Sequence, residues 1–339
     1  MRTTRKALLA AAVLGVVAAA AGWLWIQRSL APVDADGGQA RLLSFEVEPG
    51  DSLGRVADAL EAKGLIRNAK VTRWFAKAEN LSSQLKVGEY ELSAAQSTQE
   101  ILEILAAGRV RTHTVVIPEG QRASQIADRL AAAGLADRAA FLEVVFDPET
   151  PIRLGVEGSS LEGYLFPDTY RFARGLAPER VAEAMVKEFL RVYRDLGPAT
   201  GERALSMREF VTLASIVEKE TGAANERPLI AAVFLNRLKR GMRLETDPTV
   251  IYGIEDFDGN LRRVHLQDDS NPYNTYRIRG LPPGPIASPG EDALQAVREP
   301  ADTPFLFFVS RNDGTHFFST TYAEHEAAVD RFQRRRRRR

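Results

Sequence analysis

One predicted helix of this chain carries side chains that could transfer protons. Apolar residues recur at i, i+3, i+4 and i+7 from Phe210 to Val217, which predicts an amphipathic helix over residues 207–221. At 100° per residue, Lys219 points away from the buried face, and Glu218 and Glu220 lie on its two borders. Burial raises the pKa of a carboxyl toward the range that a general acid needs. The residues alone leave Glu218, Glu220 and a purely solvated role open.

Polar and aromatic residues are concentrated in four blocks rich in Pro and Gly. Such groups on stiff loops suit a carbohydrate groove, since sugars present hydroxyls for hydrogen bonds and C–H faces for stacking. The blocks are LEGYLFPDTY (161–170), LASIVEKETG (213–222), LNRLKRGMRLETDPTVIYG (235–253) and NPYNTYRIRGLPPGPIASPG (271–290). The candidate groove residues in them are Asn236, Asp247, Thr249, Tyr273, Asn274, Thr275 and Tyr276.

Structural roles are the alternative for these polar residues. Asp247 precedes Pro248 and could cap or turn the chain, and Asn274 could hold its own loop. A structural role is favoured for Glu162 and Asp168. The Pro/Gly-rich segment 280–289 excludes a helix or a central strand and is interpreted as a rigid wall of a cleft.

The C-terminal third contains several further local signals. Ser288, Pro289 and Glu291 predict a capping box with proline at the first helical position. Residues 305–310 and 316–319 around a turn at 312–314 predict a β-hairpin, followed by a helix that Thr321 and Glu324 cap. His316 and His325 lack a third ligand, so we predict neither a metal site nor a cofactor.

A strand–helix unit occurs twice in the N-terminal half. Residues 44–48 alternate like a strand, and a helical pattern follows and ends at Gly64. Six positions recur 70 residues later, where Gly50, Ala57, Asp58, Leu60, Gly64 and Leu65 correspond to Gly120, Ala127, Asp128, Leu130, Gly134 and Leu135. The pattern predicts a duplicated supersecondary unit. Ser97 and Glu100 between the copies predict a capped helix that ends at Gly108.

The N-terminal segment predicts a membrane anchor. Residues 7–26 are uncharged and apolar, and at about 1.5 Å per residue they span a hydrocarbon core of about 30 Å. Arg2, Arg5 and Lys6 precede the span, so the positive-inside rule places the N-terminus in the cytoplasm and the body outside. The alternative is a cleaved signal peptide, for which residues 18–21 offer small side chains.

Composition excludes several classes of function. The chain has no cysteine, hence no disulfide, thiolate metal site or Cys nucleophile. Of its 45 basic residues, four lie before residue 31 and six at 334–339, which leaves 35 bases against 45 acids in the body. An acidic body argues against a nucleic-acid partner. The arginine run is predicted to be a disordered tail that could touch anionic headgroups.

Two resemblances follow from these motifs. Residues 44–66, SFEVEPGDSLGRVADALEAKGLI, resemble a LysM-like module, a fold associated with N-acetylglucosamine-containing glycans, although the unit could equally be a packing platform that binds no sugar. The four polar blocks, in their order, resemble the YceG-like family of endolytic murein transglycosylases (MltG type) over residues 44–329. In that family the first glutamate of V-E-K-E-T is catalytic, which implies Glu218 here.

The resemblance implies a one-carboxyl mechanism on peptidoglycan. Protonated Glu218 would protonate the oxygen between N-acetylmuramic acid and N-acetylglucosamine, and its carboxylate would then take the proton of the muramoyl 6-hydroxyl as that oxygen attacks the anomeric carbon. The product is a 1,6-anhydro end. Endolytic cleavage, termination of strands and peptidoglycan synthases as partners are likewise implied by the family alone.

We therefore predict an α+β protein with an N-terminal transmembrane helix, a LysM-like subdomain and a mixed α+β catalytic domain. The predicted boundaries are 1–30, a linker at 31–43, 44–113, 114–333 and the tail at 334–339. The predicted location is the inner membrane, with the catalytic domain in the periplasm. Alternatives are a hydrolytic muramidase, a non-catalytic glycan-binding scaffold and a pyridoxal-phosphate lyase using Lys219. The last is disfavoured because no Gly-rich phosphate loop accompanies the lysine.

Overall fold

A computed structural model describes residues 2–35, 41–197 and 205–334 and shows a mixed α+β protein. Its contacts divide the chain into two compact units. The first comprises Met1–His113 with Ala173–Gly175, and the second comprises Thr114–Phe172 with Leu176–Arg339. The predicted α+β class is confirmed, whereas the LysM-like assignment stays a prediction.

The first unit begins with the long helix α1 (Arg2–Leu30). Its stretch Ala12–Leu30 is long and apolar enough to cross a membrane, with a mean hydropathy of 1.4, and it would equally fit a signal sequence. Trp23 and Trp25 are 61% and 57% exposed. Ser29 is buried and donates its hydroxyl to the carbonyl of Trp25 at 2.8 Å. The apolar helix is confirmed, while the membrane crossing remains a prediction.

A two-stranded sheet and three helices form the rest of the first unit. The elements are β1 (Leu42–Val47), α2 (Leu53–Ala62), α3 (Ala69–Ala78), β2 (Gly88–Ser93) and α4 (Thr98–Ala107). The antiparallel pair β1–β2 places Phe45 opposite Tyr90, and both rings lie in the core with Leu60. The predicted Ser97–Glu100 capping box and the left-handed Gly108 that ends α4 are confirmed.

The predicted linker 31–43 makes backbone contacts at both of its described ends, and its boundaries stay a prediction. The guanidinium of Arg67 donates to the carbonyls of Pro32 and Val33, and the N–H of Asp34 donates to the carbonyl of Ala94 at 2.9 Å. At the other end, β1 already begins at Leu42. Backbone groups of a short linker can pair with a nearby folded unit, a tertiary effect that composition does not reveal. The middle of the linker, 36–40, lies outside the described residues.

The second unit consists mainly of helices around a buried central one. Its elements are β3 (Thr112–Val116, which crosses the boundary), α5 (Ala123–Ala132), α6 (Arg138–Phe146), α7 (Glu149–Leu154), β4 (Thr169–Ala173), α8 (Pro178–Asp195), α9 (Met207–Glu220), a 3₁₀ turn (Ala224–Glu226), α10 (Arg227–Lys239), α11 (Asp247–Tyr252), α12 (Arg263–Leu266), α13 (Glu291–Arg298), β5 (Phe307–Ser310), β6 (His316–Ser319), α14 (Tyr322–Val329) and a π turn (Asp330–Arg334). Strand β3 pairs with β4, and β5 pairs with β6 in an antiparallel hairpin.

Helix α9 is the central helix of this unit and positions the candidate site. A Ser206–Glu209 capping box starts it, and every residue from Phe210 to Val217 is buried. The two polar side chains of that run have hydrogen-bond partners. The hydroxyl of Thr212 donates to the carbonyl of Arg208, and that of Ser215 donates to the carbonyl of Thr212 and accepts from the N–H of Ile286. The predicted helix is confirmed, but it is buried on all sides there rather than amphipathic.

The predicted duplication is confirmed in three dimensions. Helices α2 and α5 begin and end 70 residues apart, at 53–62 and 123–132. Each is followed by a left-handed glycine, Gly64 at φ +67° and Gly134 at φ +66°. In each copy the next leucine N–H returns to the carbonyl five residues earlier at 2.9 Å. A further helix completes each copy, α3 in the first and α6 in the second.

Three predictions at the C-terminal end have mixed outcomes. The β5–β6 hairpin and the Thr321–Glu324 capping box are confirmed. The helix start at Ser288 is wrong, because α13 begins at Glu291 with Gly290 as its N-cap and no side-chain cap. Of the predicted disordered tail, Arg334 belongs to the π turn and pairs with Asp330, and 335–339 lie outside the described residues.

Candidate active site

The carboxyl of Glu218 lies in the last turn of α9, largely shielded from solvent. Its side chain is 8% exposed. Oxygen Oε2 accepts a hydrogen bond from the N–H of Gly290 at 3.1 Å, and Oε1 lies 3.6 Å from the guanidinium of Arg227. The last turn of a buried helix thus presents one carboxyl to a cation and a backbone donor.

Two neighbouring helix starts provide these partners. Arg227 opens α10 directly after the 3₁₀ turn, and its side chain is only 9% exposed. Its Nη1 lies 3.5 Å from Asp292, and its Nε has no hydrogen-bond partner within the described part of the chain. Gly290 is the N-cap of α13, where backbone N–H groups lack partners inside the helix. A guanidinium and the N-terminus of a helix both interact favourably with an anion.

A second carboxyl, that of Glu119, reaches the same place from the turn after β3. Its Oε2 lies 4.0 Å from the guanidinium of Arg227. A Cβ on Gly290 would lie 2.0 Å from Oε1 of Glu119, so the carboxyl packs directly over the glycine Cα. Burial, and next the charge of Glu218, raise the pKa of Glu119. Sequence analysis missed this residue. The available signal was its place in the duplicated turn, where the first copy has Pro49.

Backbone hydrogen bonds fix the turn that carries Glu119. Gly120 has φ +70°, a left-handed conformation that glycine adopts readily. Its N–H donates to the carbonyl of Ser288 at 2.8 Å, and the N–H of Ser288 returns to Gln121 at 2.8 Å. The ammonium of Lys219 donates to the carbonyl of Gly120 at 3.1 Å. The exposed Lys219 therefore holds the turn, a role that sequence analysis did not assign to it.

Glu220 occupies a different environment on the other border of α9. It accepts a hydrogen bond from the hydroxyl of Thr246. Burial raises the pKa of Glu220 to about 7, against the opposing effect of the Thr246 hydrogen bond. The carboxyl lies in a cavity of about 440 Å³ that Asp247, Tyr276, His316 and other residues also line. The burial-raised pKa predicted for a border carboxyl is therefore found at Glu220.

Two of the candidate groove residues line this cavity. The hydroxyl of Tyr276 donates to Asp247 at 2.8 Å, and the carboxylate of Asp247 is exposed. Tyr273 lies outside the cavity lining, half-buried, with its ring 4.7 Å from that of Tyr252. The structure thus brings Asp247 and Tyr276 together with Glu220, whereas Glu218 faces Arg227 and Gly290.

The other four candidates are held inside the protein, which corrects their assignment to a groove surface. Thr249, Asn274 and Thr275 are each 0% exposed. The amide of Asn274 donates to three backbone carbonyls of 265–268, and the hydroxyls of Thr249 and Thr275 pair at 2.9 Å. The side-chain amide of Asn236 donates hydrogen bonds to the carbonyls of Thr303 and Phe305. The amides of Asn236 and Asn274 thus satisfy backbone carbonyls.

Glu162 has a structural role in the second unit, as expected. Its carboxyl accepts the N–H of Ala123 at the start of α5 and the hydroxyl of Tyr252 at 3.1 Å. Burial raises the pKa of Glu162 to about 7, although both hydrogen bonds act against the shift. Asp168 accepts from the N–H of Thr169 and, through its carbonyl, from Ile117. His316 lies against Glu226 at 2.6 Å.

Fold and site together define a mixed α+β protein with a candidate acid/base glutamate at the end of a buried helix. The chain belongs to the YceG-like family, whose family model matches residues 45–331.

Named relatives and a solved structure agree with this membership. A Bacillus subtilis protein called endolytic murein transglycosylase is 29% identical, covering 91% of this chain and 89% of the relative. A Streptococcus pneumoniae protein with the same name is 28% identical over 91% of this chain, which spans 61% of that longer relative. A crystal structure of a YceG-like protein from Listeria monocytogenes is 33% identical, with a TM-score of 0.57, and covers 86% of this chain and 100% of the other.

Proposed function

We propose that this protein is a lytic transglycosylase that cleaves the bond between N-acetylmuramic acid and N-acetylglucosamine in peptidoglycan strands, with Glu218 as acid and base. Family membership and the names of the relatives support the reaction class. The observation that carries the residue assignment is the carboxyl of Glu218, 8% exposed and held between the Gly290 N–H and the Arg227 guanidinium.

The proposed reaction uses one carboxyl twice. Glu218 gives its proton to the glycosidic oxygen as the C1–O bond breaks and the electron pair passes to the leaving sugar. The carboxylate then takes the proton of the muramoyl 6-hydroxyl while O6 bonds to C1. A 1,6-anhydro end forms, and the proton returns to Glu218. Water is not consumed.

The Gly290 N–H and the Arg227 guanidinium can stabilise the carboxylate that Glu218 becomes after the first proton transfer. Once the proton has left, the carboxylate is stabilised by the backbone N–H of Gly290 and the guanidinium of Arg227, which are in place before the reaction. The Gly290 donor is a backbone group at a helix start and the Arg227 side chain is only 9% exposed, so little reorganisation is needed when charge develops.

Asp247 and Tyr276 are proposed as sugar-binding groups at the neighbouring cavity. A volume of about 440 Å³ lies within the range of small-ligand sites. Its lining offers acceptors for sugar hydroxyls in Asp247 and an aromatic ring in Tyr276 for stacking. Tyr273 stays a weaker candidate, since its ring already packs on Tyr252.

A location in the membrane and a role in strand termination are also proposed for this protein. Helix α1 is proposed to anchor the protein in the inner membrane, with the catalytic unit in the periplasm; the apolar Ala12–Leu30 and the basic residues Arg2, Arg5 and Lys6 support this. Termination of nascent strands near peptidoglycan synthases, and glycan binding by the LysM-like part of the first unit, rest on the family resemblance.

Product analysis of three proteins tests the assignment. Purified wild type is expected to release 1,6-anhydro ends from uncrosslinked glycan strands, as read by mass spectrometry. Glu218→Gln preserves the shape of the side chain but removes the acidic proton, so the variant should fold, bind glycan and form no anhydro product. Glu220→Gln should still form it, at a lower rate, because Glu220 lines the adjacent cavity.

Each alternative has its own signature in this experiment. Reducing ends from wild type would identify a hydrolytic muramidase. An active Glu218→Gln beside an inactive Glu220→Gln would transfer the catalytic role to Glu220. Glycan binding without cleavage by purified wild type would favour a scaffold.

A further inference from the structure

We propose that Glu119 is a positioning residue of the active centre, whose carboxyl shares the Arg227 guanidinium with Glu218 and so keeps a proton on the Glu218–Glu119 pair. The inference rests on the proposed function, since it concerns the same acid. It adds a second carboxyl to a mechanism that uses only one for proton transfer.

The geometry at Gly290 brings the two carboxyls together. Glu218 accepts the Gly290 N–H at 3.1 Å, while Glu119 packs so closely over the same glycine that a Cβ there would lie 2.0 Å from its Oε1. Both carboxyls also reach one nitrogen, Nη2 of Arg227, at 3.6 and 4.0 Å. Two acidic groups thus meet at one glycine residue and one guanidinium nitrogen.

The charges around this nitrogen do not balance. Glu218 comes from α9, Glu119 from the turn after β3 and Asp292 from α13, and all three lie within 4.0 Å of the Arg227 guanidinium on α10. The ammonium of Lys219, on the same helix as Glu218, donates to the carbonyl of Gly120. Three carboxylates around one guanidinium leave excess negative charge, which favours a proton on one of them.

The excess negative charge opposes the effect of Arg227 on a general acid. A buried arginine beside a lone carboxyl stabilises the carboxylate and so favours loss of the proton that a general acid needs. Glu119 offsets part of this effect, because its negative charge lies beside the same guanidinium nitrogen. Glu119 exchanges no proton with the substrate; its carboxyl helps to keep a proton on the pair between turnovers, and Glu218 performs both transfers to and from the sugar.

The position of Glu119 is not explained by the needs of its turn. The corresponding turn in the first copy, around Gly50, reverses the chain with Pro49 in this place. The side chain of Glu119 is half exposed, so it contributes little as core packing. Its described contacts are with the groups of the candidate site.

The test is the pH dependence of kcat/KM for anhydro-product formation by the full-length protein. Removing the negative charge in Glu119→Gln should move the alkaline limb of the profile about one pH unit toward acid. Activity at pH 8 should fall about tenfold, while activity near pH 5 should approach that of wild type. Glu119→Asp keeps the charge and should restore the wild-type limb.

Matched controls separate this role from a structural one. Glu291→Gln removes the same charge from the exposed start of α13 and should leave the limb in place. Asp292→Asn should shift it less than Glu119→Gln, since the Asp292 side chain is 69% exposed. Loss of activity by an equal factor at every pH in Glu119→Gln, or no change in its profile, would overturn the inference.

Glu218→Gln, assayed in parallel, keeps the two proposals apart. An inactive Glu218→Gln together with an unmoved limb in Glu119→Gln rejects only the role of Glu119. An active Glu218→Gln rejects the proposed catalyst and, with it, this inference.

Discussion

The two copies of the duplicated unit have nearly the same backbone and different surroundings. Their helices α2 and α5 are aligned residue for residue, and the glycines that start and end the units have positive φ in both. The turn before the helix carries Pro49 in the first copy and Glu119 in the second, where the turn packs against Glu218. The same turn therefore forms part of the candidate site in the second copy, where Glu119 and Gly120 contact its residues.

We expect the largest difference between the two copies when the glycine of the turn is replaced by alanine. Gly50→Ala and Gly120→Ala place a side chain at φ +86° and +70°, so each should destabilise the fold by about 1–2 kcal/mol. Only the new Cβ at Gly120 would touch Glu218, at 3.5 Å from its Cγ. Gly120→Ala should therefore also lose up to about a hundredfold in kcat.

Denaturant unfolding and rate measurements on both variants check this prediction. Equal activity losses would show that the turn of the second copy has no special role.

The next effect tests the packing of Glu119 over Gly290. A Cβ at Gly290 would displace the flexible Glu119 carboxyl but keep the backbone N–H that Glu218 accepts. Gly290→Ala should therefore reproduce the acid shift of Glu119→Gln, with about a tenfold loss at pH 8 and an almost unchanged melting temperature. A profile parallel to wild type at every pH would contradict it.

A third prediction compares the starts of α2 and α5. Ser52 caps α2 with a neutral hydroxyl, whereas the carboxyl of Glu162 accepts the first N–H of α5. Ser52→Ala should cost about 1 kcal/mol at any pH. Glu162 has a folded-state pKa of about 7, above its ordinary value of 4.5, so its contribution to stability is present below pH 4.5 and is lost as pH rises through 7.

Glu162→Gln removes that dependence. Between pH 4.5 and 8, the difference in free energy of unfolding should move in favour of the variant by roughly 1–3 kcal/mol relative to wild type. Comparison with wild type cancels the similar contribution of Glu220. A difference that stays constant over this range would count against a buried, titrating Glu162.

The smallest expected effect concerns the glycines that end the equivalent helices, where the two copies should respond alike. Gly64→Ala and Gly134→Ala change residues at φ +67° and +66°, each after an equivalent helix. Each should lower the free energy of unfolding by about 1 kcal/mol and leave kcat unchanged. Clearly unequal losses in chemical denaturation would show that the resemblance of the copies ends before the helix terminus.

Local pattern was enough to predict much of this fold. The capping boxes at Ser97 and Thr321 and the turn of the β5–β6 hairpin act within a few residues and are confirmed. The apolar period of α9 predicted the helix but not its burial on all sides. The duplication was also visible, because its glycines occupy positions where a positive φ is needed.

Long-range contacts set the limit of that prediction. Glu119 and Gly290 are 171 positions apart by their residue numbers, and only the folded chain brings them together. The start of α13 was mispredicted because Ser288 is tied to Gln121 and Gly120 through its backbone. Asn274 has the composition of a groove residue, yet it holds the backbone of 265–268. No local period distinguishes such roles.

The path of the chain between the two units affects how this protein can be divided genetically. After the second unit begins at Thr114, residues 173–175 return to the first, where Arg174 lies 3.9 Å from Glu89. A stop codon after His113 would therefore remove a piece of the very unit it was meant to isolate. Grafting of the short returning segment onto the first unit suits this protein better than simple truncation.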